Sequence, residues 1–152
     1  MKTSKILRLV GFIGVGAMMA LASSCARSVY DPDRATRPYP FDLHTTNTVD
    51  MQVFRDGTRL EIVNATARSY RDIDLWINQR YVNHVDSLPA GETVRLSLWD
   101  FYDERGEAIN AGGFWRTVEP TPVRLVEIQT AADQPMIGLI TIRAEEIEER
   151  TN

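Results

Sequence analysis

A run of short period-two segments between Thr58 and Asp100, each closed by a turn signal, constrains this chain more than any other feature. Leu60 and Ile62 alternate with Arg59, Glu61 and Val63. Ile73, Leu75 and Ile77 alternate with Asp72, Asp74 and Trp76, and Val94, Leu96 and Leu98 with Thr93, Arg95, Ser97 and Trp99. Alternation sends successive side chains to opposite faces of an extended chain, so each segment predicts a strand with one buried face. Asn78-Gln79 stands where a two-residue hairpin would turn, because Asn tolerates positive φ. Leu88-Pro89-Ala90-Gly91 is a second turn, with Pro presetting φ and Gly accepting left-handed geometry. Pairing Ile77 with Arg80 sets Leu75 opposite Val82 and Trp76 opposite Tyr81. That register predicts a core face of Ile73, Leu75, Ile77 and Val82. Its outer face holds Trp76 and Tyr81 with Asp74 and Asn83.

The flanking sequence extends the same pattern. Val49–Arg55 reads as the first strand, turned by Asp56-Gly57. Phe114–Val118 reads as a short strand stopped by Glu119-Pro120-Thr121-Pro122, and Val123–Thr130 and Met136–Arg143 complete the set. About seven to eight short strands at roughly 8–12-residue spacing, with no long helical period, predict an all-β fold, a single antiparallel β-sandwich over residues 49–143. A small barrel is the less favoured alternative. The Leu88-Pro89-Ala90-Gly91-Glu92 turn before Val94-x-Leu96-x-Leu98, together with the Leu75–Val82 hairpin, resembles the immunoglobulin-like modules of bacterial envelope proteins. The paired cysteines of true immunoglobulin domains are absent, since Cys25 is the single cysteine of the chain.

Residues 1–24 have a different composition. Lys2, Lys5 and Arg8 give a positive start, and Leu9–Ala22 is apolar and free of charge. Those 14 residues fall short of the roughly 20 a membrane span needs. A positive start, a short apolar run and small residues at its end predict a secretory signal peptide. The closing Leu21-Ala22-Ser23-Ser24-Cys25 resembles the lipobox of bacterial lipoproteins, although Ala22 stands where that family usually has Leu. The resemblance implies cleavage before Cys25, acylation of Cys25 and attachment to a membrane. Ala26 after the Cys favours the outer membrane by the family's sorting rule.

Removing the signal takes three of the 17 basic residues and none of the 21 acidic ones, leaving a net charge near −7. An acidic domain lacks the basic footprint of nucleic-acid binding. Residues 25–48, with Pro32, Pro38 and Pro40 among polar side chains, read as a flexible, lipid-anchored tether. Fully extended, it would reach roughly 70–80 Å. Tyr39 and Phe41 could dock on the domain, with 41–43 as a short edge strand. Residues 144–152 read as an acidic tail or a frayed helix.

No sequence motif for catalysis or phosphate binding is present, and the expectation is a non-enzyme with no cofactor and no metal. His44 reads as a solvated loop residue, and His84, on the parity of Val82, as a partly buried, hydrogen-bonded structural one. Asp100, Asp103, Glu104 and Glu107 offer oxygen ligands around Gly106, but their spacing matches no calcium loop, so a solvated acidic hairpin is expected. Trp76, Tyr81, Trp99 and Phe101 share the parity opposite the core and form the candidate binding surface. The resulting expectation is an envelope lipoprotein acting as a non-catalytic protein-interaction or assembly module, with glycan or peptidoglycan binding through these aromatics as the alternative.

Overall fold

A computed structural model describes residues 30–113 and 118–142. The signal peptide, Cys25, the 114–117 part of an expected strand and the acidic tail lie outside the described residues. Within them the fold is all-β. The strands are β1 (Thr48–Asp56), β2 (Arg59–Asn64), β3 (Tyr70–Ile77), β4 (Tyr81–Leu88), β5 (Thr93–Ser97), β6 (Val126–Gln129) and β7 (Ile137–Ile142). Three short 3-10 turns sit at Pro32–Arg34, Phe41–Leu43 and Leu98–Asp100.

The seven strands form one sheet in the order β4-β3-β6-β7-β1-β2-β5. Every pair is antiparallel except β1–β7, which is parallel, so the sheet is mixed and the expectation of purely antiparallel pairing is corrected. Parallel pairing needs a long connection. Here almost the whole domain serves as that connection, because the first strand lies beside the last. The sheet curls until it is nearly closed. The chain leaves β5 through Leu98–Asp100 and crosses to the far edge, where Tyr102 and Val82 exchange two backbone hydrogen bonds of 2.9 and 3.2 Å. Phe101, Ile109 and Ala111 are buried by this crossing.

Alternation decides the core. Met51 and Val53 from β1, Leu60 and Ile62 from β2, Ile73, Leu75 and Ile77 from β3, and Val126 and Ile128 from β6 all point inward. Each fully buried aliphatic side chain of this kind stabilises the fold by about 1.5–3 kcal/mol. The expected β3–β4 register is corrected by one residue. Ile77 pairs with Tyr81 and Trp76 with Val82, not Ile77 with Arg80. Asn78 and Gln79 both take positive φ and the Arg80 N–H donates to the Ile77 carbonyl, yet Arg80 stands as an extra residue beyond the turn. Its side chain reaches Asp103 and Glu107 instead. A one-residue slip moves every later side chain to the other face. Tyr81 therefore joins the main core and Val82 the outer side, the reverse of the expectation.

Residues 30–47, expected as part of a free tether, instead lie against the sheet as a strap. Asp31 N–H donates to the Gly106 carbonyl, Thr36 N–H to Asp103, Met136 N–H to Leu43 and Gly138 N–H to Asn47. Phe41–Leu43 is a 3-10 turn, not an edge strand.

Candidate functional site

The strap covers the outer face of β3 and β6, and the side chains gathered beneath it are the most elaborated polar cluster of the described residues. Trp76, which follows Asp74 on the outer side of β3, pairs across the sheet with Glu127 of β6, and Asp74 with Gln129. Val126 and Ile128 fill the core, so Glu127 and Gln129 project outward by alternation. Both would be solvated on a bare sheet. Under the strap they are buried, Glu127 to 1% exposure.

A buried carboxylate needs partners. Tyr39 supplies one, its hydroxyl donating to Glu127 Oε2 at 2.9 Å. His44 Nδ1 supplies the other, 2.8 Å from Glu127 Oε1. Burial pushes the Tyr39 hydroxyl well above its usual range, and the Glu127 carboxylate adds to the shift, so Tyr39 remains a donor. The Tyr39 ring meets Trp76 edge-on at 5.2 Å, while the Arg37 guanidinium lies 5.0 Å over the Trp76 ring. Trp76, Tyr39, Val82 and Met136 form a small second core, sealed by Leu43. The Trp76 indole N–H has no hydrogen-bond partner among the described residues.

A second polar group continues the row. Arg37 donates to Asp74 Oδ2 at 2.7 Å and also to Gln129, and His84 Nδ1 lies 3.1 Å from Asp74 Oδ1. Burial raises the Asp74 carboxyl, but the hydrogen bonds from Arg37 and His84 outweigh it and hold the group below the ordinary carboxylate range. His84 is hydrogen-bonded as expected but exposed, because the slipped register turns it outward. His44 is not simply solvated. It closes the strap on Glu127.

The acidic 103–107 loop is organised by Asp103, which is 2% exposed. Its Oδ1 accepts from the Arg105 and Glu107 N–H groups and its Oδ2 from Arg80. Burial pushes this carboxyl up, and those hydrogen bonds more than reverse the shift. Asp103 thus spends its lone pairs on its own loop and on Arg80. No group of three or more His, Cys, Asp or Glu able to hold a metal occurs among the described residues. Between this loop, the strap and the β3–β4 turn lies an open groove of about 430 Å³, lined in part by Pro38, Phe41, Arg80 and Arg105.

The four aromatics of the expected outer face do not share one. Trp76 is buried under the strap, while Tyr81 and Phe101 are buried in the main core and Trp99 packs partly against it. Two causes act: the register slip takes Tyr81 inward, and the 3-10 turn at Leu98–Asp100 breaks the alternation that placed Phe101 outward. What sequence reasoning missed was Glu127, Gln129 and Arg37. A Pro-flanked Tyr39 and Phe41 ahead of the first strand was the available signal for a docking strap.

A different apolar strip is open to solvent. On the outer side of β7, β1 and β2, Ile140 and Val63 both register with Gln52, and Ile142 registers with Phe54. Ile140 is 42% exposed, with Phe54, Val63 and Ile142 partly buried around it. Comparison with protein-family models, curated proteins and solved structures finds no match.

Proposed function

We propose that this chain is a bacterial envelope lipoprotein whose β-domain is a non-catalytic protein-interaction module, anchored through acylated Cys25. The anchor rests on Leu9–Ala22 followed by Leu21-Ala22-Ser23-Ser24-Cys25 and on the absence of any other cysteine. The interaction role rests on the strip of Phe54, Val63, Ile140 and Ile142, an apolar face beside polar neighbours of the kind that receives a partner protein. The titratable groups under the strap favour a binding role over catalysis, because Glu127, Asp74 and Asp103 are each satisfied by partners within the fold. Burial of Trp76, Tyr81 and Phe101 leaves no flat platform of these rings for a sugar, so glycan binding is not proposed.

The finer fold belongs to the same proposal. Taken at β1, the sheet order divides into β4-β3-β6-β7 and β1-β2-β5, and β1 pairs with both β7 and β2 over Gln52–Phe54, beyond a register irregularity between Thr48 and Gln52. An immunoglobulin-like sandwich whose first strand serves both leaves would pair in this order, with β2 and β5 corresponding to B and E, β3 and β6 to C and F. Backbone NOEs between Val53 and Thr141, without any β4–β5 ladder, support it. A continuous β4–β5 ladder overturns it.

In-cell crosslinking of the full lipoprotein, followed by purification, tests the role. A crosslinked protein lost on Ile140→Arg, with the variant still folded by circular dichroism, supports it. The same crosslinks from wild type and variant overturn the strip as the contact surface.

A further inference from the structure

The strap shortens the anchor. Tyr30 forms a bridge with Glu107, and Asp31 N–H donates to the Gly106 carbonyl at 2.8 Å. Tyr30 stands five residues after Cys25. Five Cα steps reach about 18 Å at full extension. The longest strand, β1, has nine residues, or about 30 Å at 3.3 Å per residue. The leash is shorter than the body it carries. A domain held this way stays within about 18 Å of the lipid, where a free 25–48 tether would allow roughly 70–80 Å.

The leash also selects a face. It is attached at the 103–107 loop, at the end of the molecule formed by that loop, the β3–β4 turn and the groove. Two large side chains stand out there, Phe41 at 67% and Tyr30 at 58% exposure. Tyr rings settle at the headgroup level of bilayers, and Phe buries at the boundary between headgroups and acyl chains. The charges around them are of both signs. Arg34 pairs with Asp31, Arg80 with Glu107 and Arg105 with Glu104, so the rim matches headgroups that carry both phosphate and ammonium and not a purely anionic surface. Arginine stems can lie along apolar surface while their heads reach phosphate.

We infer that this end of the domain, with Phe41 and Tyr30 flanking the 103–107 loop, seats on a zwitterionic lipid surface, held there by the five-residue leash from Cys25. The inference rests on the acylation of Cys25 proposed above. It uses none of the residues of the Phe54–Ile140 strip.

The test uses the mature lipoprotein in vesicles of phosphatidylethanolamine and phosphatidylcholine, carrying Glu104→Cys at the loop or Ala67→Cys in the turn between β2 and β3, at the other end of the sheet. Acylation blocks the Cys25 sulfur, so a thiol-reactive fluorophore labels the introduced cysteine alone, which the mass of the product verifies. With nitroxide-headgroup lipid as quencher, the expected result is strong loss of fluorescence at position 104 and little at 67, unchanged by added salt. Phe41→Ala is expected to reduce the loss at 104. Equal quenching at both positions, or more at 67, overturns the seat and makes a protein or a second copy of the chain the better occupant of the groove. Two labels per molecule mean that Cys25 is free, which removes the anchor and the seat together.

Discussion

Removing one hydroxyl tests whether the strap is a structural part of the domain. In Tyr39→Phe the ring stays edge-on to Trp76, and the hydroxyl's bond to Glu127 Oε2 is lost together with its longer, 3.3 Å contact to His44 Nδ1. A hydrogen bond to a charged group contributes about 1.5–3 kcal/mol, and more of that range applies when the abandoned partner is buried. Glu127 is 1% exposed and retains only His44 at its other oxygen, so a loss of about 2–3 kcal/mol is expected. For a domain of this size that is a fall in Tm of roughly 8–12 °C. Urea unfolding at neutral pH should show a lower midpoint at unchanged m. The N–H groups that donate to the strap report the same event locally: those of Met136 and Gly138, bonded to the Leu43 and Asn47 carbonyls, should exchange faster. In a Glu127→Gln background the same Tyr39→Phe change should cost at least about 1 kcal/mol less, the signature of a direct pair. A Tyr39→Phe effect within about 0.5 kcal/mol of zero, the scale of an ordinary surface change, would refute the view that the strap is locked by a buried carboxylate.

Other expectations follow from the same geometry. Gly106→Ala should cost about 1–3 kcal/mol and expose the Asp31 amide to exchange, because φ is +81° and a Cβ would stand 2.1 Å from the Asp31 carbonyl oxygen. Asn64→Ala should cost about 2–3 kcal/mol by urea unfolding, since its buried side chain donates to Arg68 and Leu88 carbonyls and accepts from Thr66. Asp103 has a lowered folded pKa, so its contribution is complete above the unfolded value of about 3.9 and is lost as pH falls through the folded one. Asp103→Asn should therefore flatten the dependence of stability on pH below about 4. Tyr39 is the opposite case. Its raised folded pKa means stability is complete below the unfolded value of about 10 and falls as pH rises beyond it. That alkaline fall should be smaller in Tyr39→Phe, and an identical alkaline profile would argue against the buried hydroxyl.

Strand existence was legible almost throughout. The segments read from alternation at 49–55, 60–63, 73–77, 94–98, 123–130 and 136–143 all overlap observed strands, and Asp56-Gly57 turns where expected. The candidate site was not legible. Asn78-Gln79 takes the positive φ that a tight turn requires, but the residue after it was miscounted. Arg80 is drawn out of the ladder by Asp103 and Glu107, more than twenty residues away. No local signal reports such a pull, and one residue of slip was enough to exchange Tyr81 with Val82. The parity of Phe101 failed for a related reason: Ser97 caps a 3-10 turn through the Trp99 N–H, ending the strand before the alternation runs out.

The sequence by itself determined where strands form, where they turn and which side chains of each strand share a face, because these depend on the chain's own period. It also carries the Cys25 pattern and the acidic balance. Only the tertiary structure decided which face is covered and by what. Glu127 is an ordinary outward acid until Tyr39 and His44, more than eighty residues earlier, close over it. The first strand lies beside the last in parallel, a pairing no local pattern announces. The physical reason is the range of the forces involved. Backbone alternation is set by neighbouring residues, whereas burial depends on whichever distant segment removes a surface from water.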